Sequence, residues 1–132
     1  RIEDAWQRRQ EIWRRYQQAF ADLPIGLPAQ PEYGTRHAYH LYTVQIEQAQ
    51  AGVSRDEFLD RMNSARIGTG VHYLSTAEHP YYQQRFGWRP EQSPHATRIG
   101  RRTASLPLSP KLTDGDIERV IDATRSIIVR SA

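Results

Sequence analysis

Cysteine is absent from the 132-residue chain, which excludes a disulfide framework and any thiolate metal site. Lysine is nearly absent: of 18 basic residues only Lys111 is one, so chemistry through an amine, a Schiff base above all, has a single candidate. No stretch approaches the ~20 apolar residues of a membrane-spanning helix, and no charged-then-apolar leader opens the chain. A cytoplasmic location is the simple expectation. The phosphate-cradling glycine loop is also missing, because Gly68-x-Gly70 stands without the rest of either nucleotide fingerprint. No Gly-x-Ser-x-Gly elbow supports a serine hydrolase, and Ser75 merely sits near histidines. A metal centre lacks geometry: His37 and His40 fall on opposite faces of an extended run, and no carboxylate sits at helical spacing from a paired histidine.

What is present is enough for one folded domain over residues 1–132, with 38% hydrophobic and 10% aromatic residues. The net charge of +3 and the pairs Arg8-Arg9, Arg14-Arg15 and Arg101-Arg102 raise the question of nucleic acid. Acidic residues are interleaved with them and no reader motif appears, so no nucleic-acid partner is expected. The chain opens on Arg1 rather than Met, which leaves a fragment, a processed product and a short natural protein all open.

Ile2, Trp6, Trp13, Tyr16, Phe20 and Leu23 fall at helical spacing and predict an amphipathic helix, ended by Pro24, Gly26 and Pro28. Asp4 with Arg8 and Glu11 with Arg15 are i,i+4 pairs on its wet side. Its apolar stripe, Trp6 and Trp13 included, suits packing on a large neighbour, either this domain's sheet or one outside the chain. His37 to Glu47 predicts a strand with Tyr42, Val44 and Ile46 on one face. Ser54 to Glu57 is a capping box for a helix carrying Phe58, Leu59, Met62 and Ala65. Ile67 to Tyr73 predicts a second strand, Pro80 to Phe86 a short helix closed by Gly87, and Ser93-Pro94 another through Ile99 and Thr103. Ser105 to Pro110 predicts an edge strand. Thr113 caps a last helix with the stripe Ile117, Val120, Ile121, Thr124, Ile127 and Ile128. The order implies an α+β layer, a small sheet packed with helices.

The segment Ile67 to Pro90, "IGTGVHYLSTAEHPYYQQRFGWRP", holds two histidines and three tyrosines at a strand exit. Composition alone favours a packing cluster of Tyr73, Tyr81, Tyr82, Phe86 and Trp88 with His72 and His79 edge-on. The other reading is one wall of a ligand site.

"IGTGVHY", the short helix with "YYQQRFGWRPEQSPHA", and "SLPLSPKLTDGDIERVIDA", following a strand "HAYHLYTVQI", together resemble the C-terminal end of the DegT/DnrJ/StrS family of pyridoxal-phosphate-dependent nucleotide-sugar aminotransferases. The resemblance runs over nearly the whole chain. It implies the small α+β domain of a fold-type I aminotransferase, with the large cofactor-binding domain absent. The Schiff-base lysine, the aspartate for the pyridine nitrogen and the phosphate-binding region belong to that large domain; Lys111 lies where the family has no such role. The chain alone is therefore expected to be inactive and to bind no cofactor covalently, while the parent enzyme uses pyridoxal 5'-phosphate. The parent would move an amino group from glutamate to a nucleotide-linked keto sugar, as a homodimer, in polysaccharide or antibiotic-sugar synthesis. By the same resemblance His72, Tyr73 and His79 face the cleft as substrate contacts, Gly68 and Gly70 let backbone approach, and Arg89 and Arg102 are weaker anion candidates. Two other readings remain: a stand-alone or split-enzyme domain that docks on a partner without catalysis, and a basic nucleic-acid binder. One position departs from the family pattern, since Arg66 stands where relatives carry a helix-ending glycine.

Overall fold

The computed structural model of the chain describes residues 1–129. Six α-helices and two strands follow in the order α1 (Ile2–Ala19), β1 (Tyr42–Gln45), α2 (Gln48–Ala51), α3 (Arg55–Ser64), α4 (Pro80–Phe86), α5 (Pro94–Arg102), β2 (Thr103–Leu106) and α6 (Asp114–Val129). Single 3₁₀ turns at Thr76–Glu78 and Pro90–Gln92 flank α4. The two strands pair antiparallel, Tyr42 opposite Leu106 and Gln45 opposite Thr103. This is the expected α+β arrangement of a small sheet packed with helices.

The apolar periodicities converge on one core. Ile12, Trp13 and Tyr16 of α1, Tyr42 and Val44 of β1, Phe58 and Met62 of α3, Leu106 of β2, and Ile117, Val120 and Ile128 of α6 are all buried. Each such side chain contributes roughly 1.5–3 kcal/mol of transfer free energy before the entropy of ordering is subtracted. Tyr42 sits at the centre, its ring 5.1 Å from Tyr16 and 5.7 Å from Trp13, both edge-on. Tyr16 donates from its hydroxyl to the Pro107 carbonyl at 3.0 Å, whereas the Tyr42 hydroxyl and Trp13 Nε1 are buried without a partner. Burial pushes both phenols above their ordinary value, since the phenolate would lose its water.

Guanidinium groups lock α1 to α6. Arg8 and Arg15 both reach Asp114, Arg8 also meets Glu11, and Arg15 meets Glu118. The pairing differs from the i,i+4 expectation: Arg15 turns away from Glu11 toward α6, and Asp4 takes the terminal amine of Arg1. Arg125 forks onto Asp22 at 2.7 Å and donates to the Ala19 carbonyl, tying α6 to the end of α1. At the start of α6, Asp116 N–H donates to Thr113 Oγ1 and Thr113 N–H donates back to the Asp116 carboxylate, a reciprocal cap.

Several expected boundaries move. The first helix ends at Ala19, although Phe20 and Leu23 still reach the core. The first strand loses His37 to Leu41, because Tyr39 adopts φ +46° and its N–H folds back onto His37 Nδ1. Ile67 to Tyr73 is not a strand: one bridge, Gly70 to Ser105, is all that pairs there. The four residues of β2 stop at Pro107, which has no N–H to continue a ladder, and flexible glycines flank Thr69. The last strand begins two residues earlier than expected, at Thr103, directly where α5 ends.

Trp13 is 2% exposed and packs within this domain, and Trp6 is half-buried, donating from Nε1 to the His37 carbonyl at 2.7 Å. From Ile12 to Phe20 the stripe of α1 is thus covered by the chain's own core, while Ile2 at its start is 81% exposed. Helix α3 ends in a Schellman turn: Arg66 N–H donates to the Asn63 carbonyl and Ile67 N–H to the Met62 carbonyl. Arg66 occupies the left-handed position at φ +60°, the conformation that glycine adopts without steric cost.

Candidate functional site

The site candidates hang on the segment that leaves the Gly70–Ser105 bridge. Gly70 and Ser105 exchange backbone hydrogen bonds at 3.2 and 2.8 Å, which fixes the chain just before His72. His72 then folds its ring back over Gly70: a Cβ built there would lie 2.9 Å from His72 Cε1, so any larger residue would displace the ring. Its Nδ1 lies 2.8 Å from the hydroxyl of Ser105, which is 5% exposed. The other ring nitrogen, Nε2, has no hydrogen-bond partner among the described residues, and the side chain as a whole is half-buried.

Tyr73 follows across a cis peptide bond and projects outward, 74% exposed, with its ring edge-on to His72 at 4.9 Å. The backbone from Tyr73 to Ser75 presses on α5. A Cβ at Gly100 would come within 2.8 Å of the Ser75 nitrogen and 3.0 Å of the Tyr73 carbonyl oxygen. Gly100 therefore sets how far this loop can approach the helix. Gly68 has open space around it and no such role.

His79 stands apart from that pair. It is exposed, precedes α4 in extended conformation, and its ring neighbours Tyr82 at 6.5 Å. Tyr82 forms a triangle with Phe86 and Trp88, stacked on the two at 6.0 and 5.3 Å, with Tyr81 edge-on. The aromatic cluster is thus real for Tyr81, Tyr82, Phe86 and Trp88, but Tyr73 is outside it. It is also a surface feature: Tyr81 is 63%, Phe86 54% and Trp88 43% exposed.

The arginine candidates divide. Arg102 grips Glu47 with both terminal nitrogens and is committed to structure. Arg89 is exposed on the turn before α5. A cavity of about 350 Å³ beside it is lined by Pro90, Thr97, Arg98, Arg101 and Arg102, but Arg101 is held by Glu78. Of the paired arginines, Arg8, Arg15, Arg101 and Arg102 all meet carboxylates, so no continuous basic stripe forms from them.

The residues present do not fit a pyridoxal phosphate. Lys111 is exposed in the turn before α6, its own N–H donating to Ser109 Oγ, and it is absent from the lining of the neighbouring groove between Arg66 and Val120. Among the described residues no group of three or more His, Asp or Glu could hold a metal ion, and no helix is long and apolar enough to cross a membrane.

Sequence reasoning missed Ser105 and Gly100. Gly100 reads only as part of a helix and Ser105 only as the start of an edge strand and of a family-like stretch, and nothing in their spacing signals that residues 25 or more and 33 positions away meet them.

The sequence profile of the DegT/DnrJ/EryC1/StrS aminotransferase family matches residues 1–125. The spore coat polysaccharide biosynthesis protein SpsC of Bacillus subtilis is 40% identical over 129 residues, 97% of this chain and 33% of that protein. Spr1654 of Streptococcus pneumoniae, described as a sugar aminotransferase, matches in its apo form with TM-score 0.88 and 25% identity over 99% of this chain and 32% of its own. DesV of S. venezuelae, solved with a ketimine intermediate, matches with TM-score 0.79 and 32% identity over 94% of this chain and 32% of its own. The chain therefore spans about a third of the length of these relatives.

Proposed function

The chain belongs to the DegT/DnrJ/EryC1/StrS aminotransferase family, and from that premise we propose that it is the small domain of a pyridoxal-phosphate-dependent sugar aminotransferase, covering the active site and contacting substrate. The observation that carries the reading is a braced loop that holds His72 with one ring nitrogen unpaired beside an outward-projecting Tyr73. His72 is anchored through one nitrogen with the other free, and Tyr73 is an exposed phenol beside it. His72 Nε2 and the Tyr73 hydroxyl have no hydrogen-bond partner among the described residues, which suits sugar hydroxyls or anionic oxygens across a cleft. His79 would contact substrate from the start of α4, a separate position reached only if the ligand extends over the aromatic cluster.

In this reading the cofactor supplies the electron sink for amino transfer and sits in the large domain. This chain contributes positioning and exclusion of water. The amino donor is glutamate, the acceptor a nucleotide-linked keto sugar, and the whole enzyme a homodimer in the cytoplasm. The exposed rings of Tyr81, Phe86 and Trp88 support a second reading, a domain that docks on a partner without catalysis of its own.

Mixing the chain with the cofactor-bearing domain of a family member that lacks this region should restore amino transfer from glutamate to a nucleotide-linked keto sugar. His72→Ala should reduce the restored rate at least tenfold. A rate unchanged by His72→Ala, Tyr73→Phe and His79→Ala together removes these residues as substrate contacts. Binding with no restored transfer favours the docking domain.

A further inference from the structure

We infer that Ser105 is a positioning residue that fixes the tautomer of His72, so that the nitrogen facing the ligand is a hydrogen-bond donor and never a base. The substrate role of His72 rests on the reading above; its tautomer does not.

Ser105 lies on β2 and is almost fully buried, with its hydroxyl 2.8 Å from His72 Nδ1. No other partner of that hydroxyl exists among the described residues. A buried O–H that donates to nothing is costly, so the hydroxyl donates and Nδ1 accepts. The single proton of a neutral imidazole then sits on Nε2, the nitrogen without a partner among the described residues. Protonating the ring adds hydrogen at Nδ1 and leaves Nε2–H in place. In both charge states the outward atom donates.

Two further contacts keep the ring from turning over. Gly70 lets the ring fold over the backbone, with Cε1 only 2.9 Å from where a Cβ would stand, and the Tyr73 ring packs on it edge-to-face at 4.9 Å. A 180° flip about the ring bond would take Nδ1 away from the hydroxyl and strand it. The chemistry recognised is therefore an oxygen acceptor: a hydroxyl, carboxylate or phosphate oxygen. Taking a proton from carbon or from an ammonium group is excluded for this nitrogen, and His72 binds where a histidine at an active site could otherwise be read as general base.

The test is ¹⁵N NMR of the labelled chain at pH about 8.5, well above the ordinary imidazole value of about 6.5, with His72 assigned by the signals lost in His72→Gln. No ligand is added, so the result is independent of whether His72 contacts substrate. The expected spectrum shows an unprotonated Nδ1 and a protonated Nε2 in one fixed tautomer. Ser105→Ala, which removes the donor, and Gly70→Ala, which pushes the ring off it, should each move both nitrogens toward averaged, tautomer-mixed shifts. A protonated Nδ1 in the unmodified chain overturns the inference, as does a His72 pattern that neither substitution changes.

Discussion

The two aromatic clusters of this molecule are built alike and used differently. Around Tyr42, rings of Trp13, Tyr16 and Phe20 meet at 5.1–6.4 Å and are sealed by α1 and α6. Around Tyr82, rings of Tyr81, Phe86 and Trp88 meet at 5.3–6.0 Å and stay largely open to solvent. Similar ring geometry therefore does not mean a similar role. The first cluster holds the fold together, and the second leaves α4 with an exposed aromatic surface, the material that partner-binding patches are made of.

Truncation should separate the two most sharply. Trp13→Ala leaves a cavity among fully buried neighbours and should cost about 3–5 kcal/mol, enough to unfold much of the domain; Trp88→Ala should cost about 1 kcal/mol or less, since its ring is already half in water. Urea denaturation followed by circular dichroism decides it, and equal losses would erase the distinction. Gly100→Ala should act on the open side alone. The added methyl meets the backbone of Tyr73 to Ser75, at a cost of about 1–3 kcal/mol, and amide shifts should move in the loop of residues 72–75 while those around Tyr42 stay put. Arg66→Gly should sharpen the border between the halves by relieving the left-handed arginine, raising stability by about 0.5–1 kcal/mol in the same assay.

Acid gives the gentlest contrast. Arg125 holds the Asp22 carboxyl at about 2, and Arg8 lowers that of Asp114, both below the ordinary carboxylate value. A depressed folded value contributes stability that is complete above pH about 4 and is lost as pH falls toward 2. Both pairs belong to the sealed side. Helix α6 should loosen from α1 first in a stepwise acid titration monitored by amide exchange, and Asp22→Asn should flatten that step. These carboxyls are fully exposed, so the change is small.

The helices were legible in the sequence because their signals are local. Ser54 accepts from Glu57 N–H, Gly87 closes α4 in left-handed conformation, and all six residues named for the last helix lie on its packed side. The strands were less so. Pairing is decided by the partner, and a four-residue β2 cannot extend beyond Pro107 however strand-like Ile67 to Tyr73 reads. Tyr39 illustrates the same limit: its aromatic ring suggested a strand, but its place against Trp13 at 5.7 Å is reached by a turn. At the candidate site the outward residues His72 and Tyr73 could be named from the sequence, through resemblance. Their supports could not, because Ser105 and Gly100 act through contacts between segments with no common periodicity.

The contact at Gly100 has a consequence for how this surface changes. The loop bearing Tyr73 is exposed on one side, the side proposed to meet substrate, and rests on α5 on the other with less than a methyl group of clearance. A mutation on the helix can therefore re-aim the phenol without altering any residue that a ligand would meet. Selectivity among sugars would then drift through a position no ligand-contact map would include, and a search for its determinants should start one layer behind the surface.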